Sequence, residues 1–122
     1  MKRYLLEPKP YLLKLTKECA ELESMGFELI GLHSSGEMLD ANEAFLKELG
    51  YSIEELQGMN AWRFFDVQSI ERIMEKLKVA SEDPYDVIAR RKDSSMFDVT
   101  IIGRNVEIED VPCRIVGAKL RS

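Results

Sequence analysis

A chain of 122 residues and 14.0 kDa fits one compact domain and has no length for two. Hydrophobic residues at 45% and charged residues at 32% exclude disorder as a starting point, because this much apolar matter can offset the entropy of ordering. Seventeen Lys plus Arg against 22 Asp plus Glu leave a net charge of −5, a poor match to a phosphate backbone or an anionic bilayer, so neither nucleic acid nor a membrane is an expected partner.

No apolar run approaches the roughly 20 residues of a bilayer-spanning helix. Met1 to Pro10 mixes charge, prolines and leucines without the apolar stretch and cleavage site of a secretory signal, and a cytoplasmic chain is expected. Cys19 and Cys113 fit neither a C-x-x-C motif nor a disulfide framework and read as two reduced, packed thiols.

Residues 1–26 are expected to form an amphipathic helix. Pro10 suits a first turn, Leu12, Leu15, Cys19 and Leu22 fall on one side, and Gly26 stops the helix. Either the domain's own sheet or a second copy covers that side. Phe27 to His33 and Glu37 to Asp40 read as a hairpin around Ser34, Ser35 and Gly36. Several short helices follow. Asp40 or Asn42 caps a segment ending at Gly50, and Ser52 with Glu55 forms a capping box for a segment ending at Gly58. A short piece at Ala61 to Val67 precedes an amphipathic helix carrying Ile70, Ile73, Met74 and Leu77, and Pro84 closes the block.

From Tyr85 the period changes to two, with Phe97, Val99 and Ile101, then Val106 and Ile108, then the run Ile115 to Leu120. Turns at Lys92 to Ser95 and Glu109 to Pro112 make three antiparallel strands. Strands divided by a helical block, rather than alternating with helices, favour a single-layer α+β domain over a doubly wound parallel sheet.

The residues offer little for catalysis. His33 is the single histidine, which removes H-E-x-x-H and multi-histidine metal centres; its reading is structural or superficial, with ligand contact or pH response as the alternative. No G-x-S-x-G elbow, phosphate-binding loop or G-x-G-x-x-G occurs. The carboxylates Glu54, Glu55, Asp40, Glu43, Glu107 and Asp110 read as caps, exposed faces or turns, and Arg90, Arg91 and Lys92 as a solvated hairpin face, with Arg63, Arg104 and Arg114 elsewhere. What remains is the bulky helical set that includes Phe45, Leu49, Leu56, Trp62, Phe64, Phe65, Ile73, Met74 and Leu77, which fills a core or lines a cavity.

Asp40 to Phe45, Leu49 to Ser52 and Glu54, Glu55, Leu56 and Gly58 resemble the N-x-A-F and G-Y-S-x-E-E-L-x-G signature of PAS domains. Tyr85 to Val87 and Arg90 to Asp93 are similar to the family's hairpin with its R-K-D-G turn. The resemblance spans roughly residues 27 to 120 and makes 27–122 the PAS domain of the chain. It implies a five-stranded antiparallel sheet of order 2-1-5-4-3, short helices on one face forming a small-molecule pocket, and dimerisation through the N-terminal helix and the outer sheet face. The function that follows is a sensory module of a signal-transduction protein, such as those of two-component systems. A small apolar ligand or cofactor would sit between the sheet and Trp62, Phe65 and Met74.

The expected ligand-binding set adds Phe45, Leu49, Leu56 and Ile73 from the helices and Ile30, Leu32, Val99 and Ile101 from the strands. Leu12, Leu15, Cys19 and Leu22 are the expected dimer interface. The partners implied are a second copy of the chain, a small molecule and a signalling effector. The alternative is a ligand-free dimerisation or protein-interaction module. No enzyme activity is expected of the chain itself, and any kinase or cyclase domain belongs to a parent protein.

Departures from the family pattern narrow the cofactor. Ala61 follows Gly58, Met59 and Asn60 where flavin photosensors carry the adduct-forming cysteine, and Gln68 to Ser81 has no histidine for haem, leaving Met74 as an unusual axial ligand. The cofactor stays unspecified. Ser94 stands where the turn usually has glycine, implying a different turn conformation or a longer loop, and Leu120 to Ser122 lack the D-I-T end that commonly leads to an output helix.

Overall fold

The computed structural model describes residues 11–79 and 81–121, so the expected first turn at Pro10 lies outside the described residues. Five strands, β1 (Leu29–Ser34), β2 (Glu37–Ala41), β3 (Tyr85–Arg90), β4 (Met96–Ile108) and β5 (Val111–Leu120), form one sheet in the order β2-β1-β5-β4-β3. All four pairings are antiparallel. The β1–β2 and β3–β4–β5 connections are local turns, and the two halves join where β5 pairs with β1. This is the α+β arrangement and strand order the sequence led us to expect.

One face of the sheet is covered by the chain's own N-terminal segment, a 3-10 turn over Tyr11–Leu15 followed by α1 (Thr16–Ser24). A single continuous helix was the expectation. Instead the Leu12 amide donates to Asp40 Oδ2 at 2.8 Å, which ties the first turn to β2, and Leu15 leaves helical geometry at φ −125°. Leu15 and Leu22 are buried with Phe27, Ile30, Leu32 and Ile115, and Leu12 and Cys19 pack beside them. With Leu22 at 0% exposure, the domain's own sheet, one of the two covers expected for this apolar side, is the one it packs on. Leu15 and Leu22 have no surface to offer a dimer while α1 stays docked. Asp40, expected as a cap or exposed carboxylate, is buried and accepts the amides of Leu12 and Ala41.

The other face carries α2 (Glu43–Leu49), α3 (Ile53–Leu56), a 3-10 turn at Ala61–Phe64 and α4 (Val67–Lys78). Each start has its cap. Asn42, not Asp40, caps α2, its Oδ1 accepting from Phe45 N at 3.0 Å and from Ile30 N at 3.1 Å. Ser52 and Glu55 form the expected capping box. Asp66, which the sequence reading missed, caps α4 by accepting from Ser69 N at 2.8 Å, so Val67 opens a new helix rather than closing the preceding one.

The helical block is hydrogen-bonded to both edges of the sheet. On the β2 side, Met38 N donates to Met59 O and Gly58 N to Met38 O, each at 2.8 Å. On the β3 side, Ile88 N donates to Ser69 Oγ at 2.8 Å and Arg72 to Asp86 O at 2.8 Å. These contacts protect both edge strands and make the helices an arch over the sheet.

Three hairpins hold non-glycine residues in left-handed geometry: Ser35 at φ +51°, Ser94 at +73°, and Glu109 and Asp110 at +50° and +66°. Ser94 thus keeps a glycine-like conformation instead of changing the turn, and Asp93 Oδ1 stabilises the loop by accepting from the amide and hydroxyl of Ser95. The final turn is two residues long, so Val111 and Pro112 belong to β5. Arg91 is not a solvated cation: it pairs with Glu48 at 2.7 Å and stacks 4.1 Å from the Phe97 ring centre, locking the β3–β4 hairpin to α2. Among the described residues no helix is long and apolar enough to cross a membrane.

Candidate functional site

Between the arch and the sheet lies a cavity of about 390 Å³. Its origin is legible in the strand registers. On the inner face of the three central strands, Gly31 pairs with Val116 and Val116 with Gly103, so two positions of that row have no side chain. The helices cannot sink into this hollow, because they are tied to β2 on one side and β3 on the other. A Cβ at Gly31 would lie 3.1 Å from the Phe45 ring and 3.2 Å from the Met38 methyl, so side chains from above already crowd that end.

The next row toward the turns is polar. His33 pairs with Arg114 and Arg114 with Asn105, giving His33, Arg114 and Asn105 side by side on β1, β5 and β4. Arg114 is 8% exposed and lies over Gly103, where a Cβ would come within 2.5 Å of Nε. Its Nη1 donates to Asn105 Oδ1 at 2.9 Å and its Nη2 to Ser81 O at 3.1 Å, so it spans from the sheet to the link after α4. His33 Nδ1 accepts from Gly36 N at 3.2 Å, which leaves Nε2 to carry the proton of the neutral ring. Burial and then the Arg114 charge lower the His33 pKa to about 4. Tyr85 also lines the cavity, and burial pushes its phenol up.

The expected ligand-binding residues divide by strand parity and helix face. Phe45, Trp62, Phe65, Ile73 and Ile101 do line the cavity. Ile30 and Leu32 point to the opposite face of the sheet, beneath α1, because side chains alternate along a strand and Gly31 and His33 hold the inner positions. Leu49 and Leu56 are buried between the helices and the β2 end, and Val99 packs in the core near β3; all three fill space beside the cavity. Met74 is 49% exposed on the solvent side of α4, which removes it both as a lining residue and as an axial ligand. The sequence offers ligand contact at His33 only as the alternative reading, and it does not single out Arg114, Asn105 or the two glycines as site residues. Their alternation in step across three strands was the signal, but register is set by turn lengths and long-range pairing.

No group of His, Cys, Asp or Glu among the described residues is arranged to hold a metal ion. Ala61, the residue after Asn60, lines the cavity; Cys19 packs in the cluster beneath α1, and Cys113, a member of that cluster, lines the cavity from β5 on the sheet side. The helical side therefore presents no thiol to a flavin, and the residues do not fit adduct photochemistry.

A family model described as PAS domain matches residues 25–117. The chain belongs to the PAS domain family. Its sheet order and helical arch also recur in solved structures. A PAS domain from Desulfitobacterium hafniense is 22% identical, with 76% of this chain and 92% of that one covered at a TM-score of 0.66. The PAS domain of a two-component sensor histidine kinase is 16% identical, with 89% and 99% covered and a TM-score of 0.68. The light-oxygen-voltage domain of a blue-light-activated histidine kinase from Erythrobacter litoralis is 16% identical, with 77% and 95% covered and a TM-score of 0.64. No curated protein matches the chain. At these identities the solved structures establish a shared PAS fold.

Proposed function

We propose that this PAS domain is the sensory module of a signalling protein, binding a small, largely apolar ligand in the cavity beneath the helical arch. The observation that carries the reading is the cavity of about 390 Å³ bounded by Trp62, Phe65 and Ile73. Ligand entry would favour one of two packings of the arch. Family membership supports a signalling role, and PAS folds of this kind occur in the sensor histidine kinases described above.

A route outward exists in β5. Arg114 and Val116 face the cavity, while Ile115 and Gly117 face α1, and a Cβ at Gly117 would come within 2.9 Å of Phe27. One layer of backbone thus separates the cavity from the N-terminal helix, so a shift of β5 alters the α1 seat. NMR titration with a fragment set tests the reading. Shifts should concentrate at Trp62, Phe65 and Ile73 and reappear at Leu22; a full set that leaves those residues untouched would sink it.

The alternative, a ligand-free interaction module, draws on a different surface from the one first expected. Val67, Met74 and Val79 are exposed on and just beyond α4 and do not line the cavity. Sedimentation at micromolar concentration separates the two: a monomer with no partner requiring those residues removes the alternative.

A further inference from the structure

The polar row in an otherwise apolar cavity narrows the ligand class, on the premise that the cavity is a ligand site. A guanidinium carries five N–H donors and a permanent charge. Arg114 gives one bond to an amide oxygen and one to a peptide oxygen, both neutral acceptors, and no carboxylate among the described residues pairs with it. It is nevertheless buried, on a floor that Gly103 keeps clear. A buried charge without a counter-ion is unfavourable, and an anion that reaches it gains what the protein has not supplied.

The neighbours suit the same ligand. His33 Nε2–H and the Asn105 amide nitrogen, whose oxygen already accepts from Arg114, are further donors in the row. Burial and Arg114 keep His33 uncharged near neutrality, so the row carries one positive charge. Asn105 is exposed, which gives a charged group a wet entry, while Trp62, Phe65 and Ile73 await an apolar body deeper in.

We propose that the cavity selects a small organic monoacid, with its carboxylate held by Arg114 between His33 and Asn105 and its apolar part under the helical arch. Trp62, the chain's single tryptophan, reports occupancy at the site itself. The experiment is a parallel fluorescence titration with hexanoate and hexanol, which share a chain and differ in charge. Hexanoate should bind at least about tenfold more tightly, the range of charge-assisted hydrogen bonds. Arg114→Gln should abolish that preference. Gly103→Ala, which displaces the guanidinium but keeps its charge, should reduce it, and circular dichroism verifies that both variants fold. Equal affinities, tighter hexanol, or a preference that survives Arg114→Gln overturns the acid selectivity while leaving the cavity a ligand site. Failure of both probes to perturb Trp62 at millimolar concentration overturns the two proposals together.

Discussion

His33 is held neutral by its surroundings, with its pKa lowered from 6.5 to about 4 by burial and the Arg114 charge. A depressed folded pKa means that the unfolded chain takes up the proton first as pH falls. The stability contribution is therefore complete above pH 6.5 and is lost on descending to about 4, by at most about 3 kcal/mol. Urea midpoints measured across that window should fall for the native sequence and fall less for His33→Gln; identical slopes would refute the assignment. Ser94 offers a test of the opposite sign. At φ +73° it bears the steric cost of a left-handed residue, so Ser94→Gly should raise stability by about 0.5–1 kcal/mol in thermal unfolding. The sequence shows a serine at a glycine position; the geometry shows that the turn did not change to suit it.

At the scale of elements, capping chemistry was the most legible signal. Ser52 with Glu55 is a local pattern, and the box forms as read. Asn42 does more than a local pattern announces: besides Phe45 N it accepts from Ile30 N, and its amide donates to Glu28 O at 2.8 Å, tying α2 to the start of β1. Asn42→Ala should cost about 2 kcal/mol in chemical denaturation, against about 1 kcal/mol for Ser52→Ala, which breaks a local cap alone. A smaller loss at Asn42 than at Ser52 would contradict this role. The docking of α1 is tested by Leu22→Ala, expected to cost about 3 kcal/mol, beside Leu13→Ala, where 69% exposure predicts a change within about 0.5 kcal/mol. If α1 served mainly as an interface between copies, the Leu22→Ala loss would instead vary with protein concentration.

Across the whole molecule, β5 is the structural centre: it lies between β1 and β4, is covered by α1 on one face, and helps floor the cavity on the other. Hydrogen exchange should be slowest at Ile115 to Gly117 and faster through α4, one side of which is open to solvent. Protection of α4 exceeding that of β5 would argue against this order. Local spacing was enough to determine the fold class, the hairpins and most helix starts, because capping, turn and alternation patterns act over a few neighbours, and the family resemblance of the motifs pointed to five of the cavity residues. Tertiary structure decided which side of β1 faces the cavity, where the apolar side of α1 is buried, and that His33, Arg114 and Asn105 meet. Those outcomes depend on strand register between distant segments, and a shift of one residue would send each of these side chains to the other face.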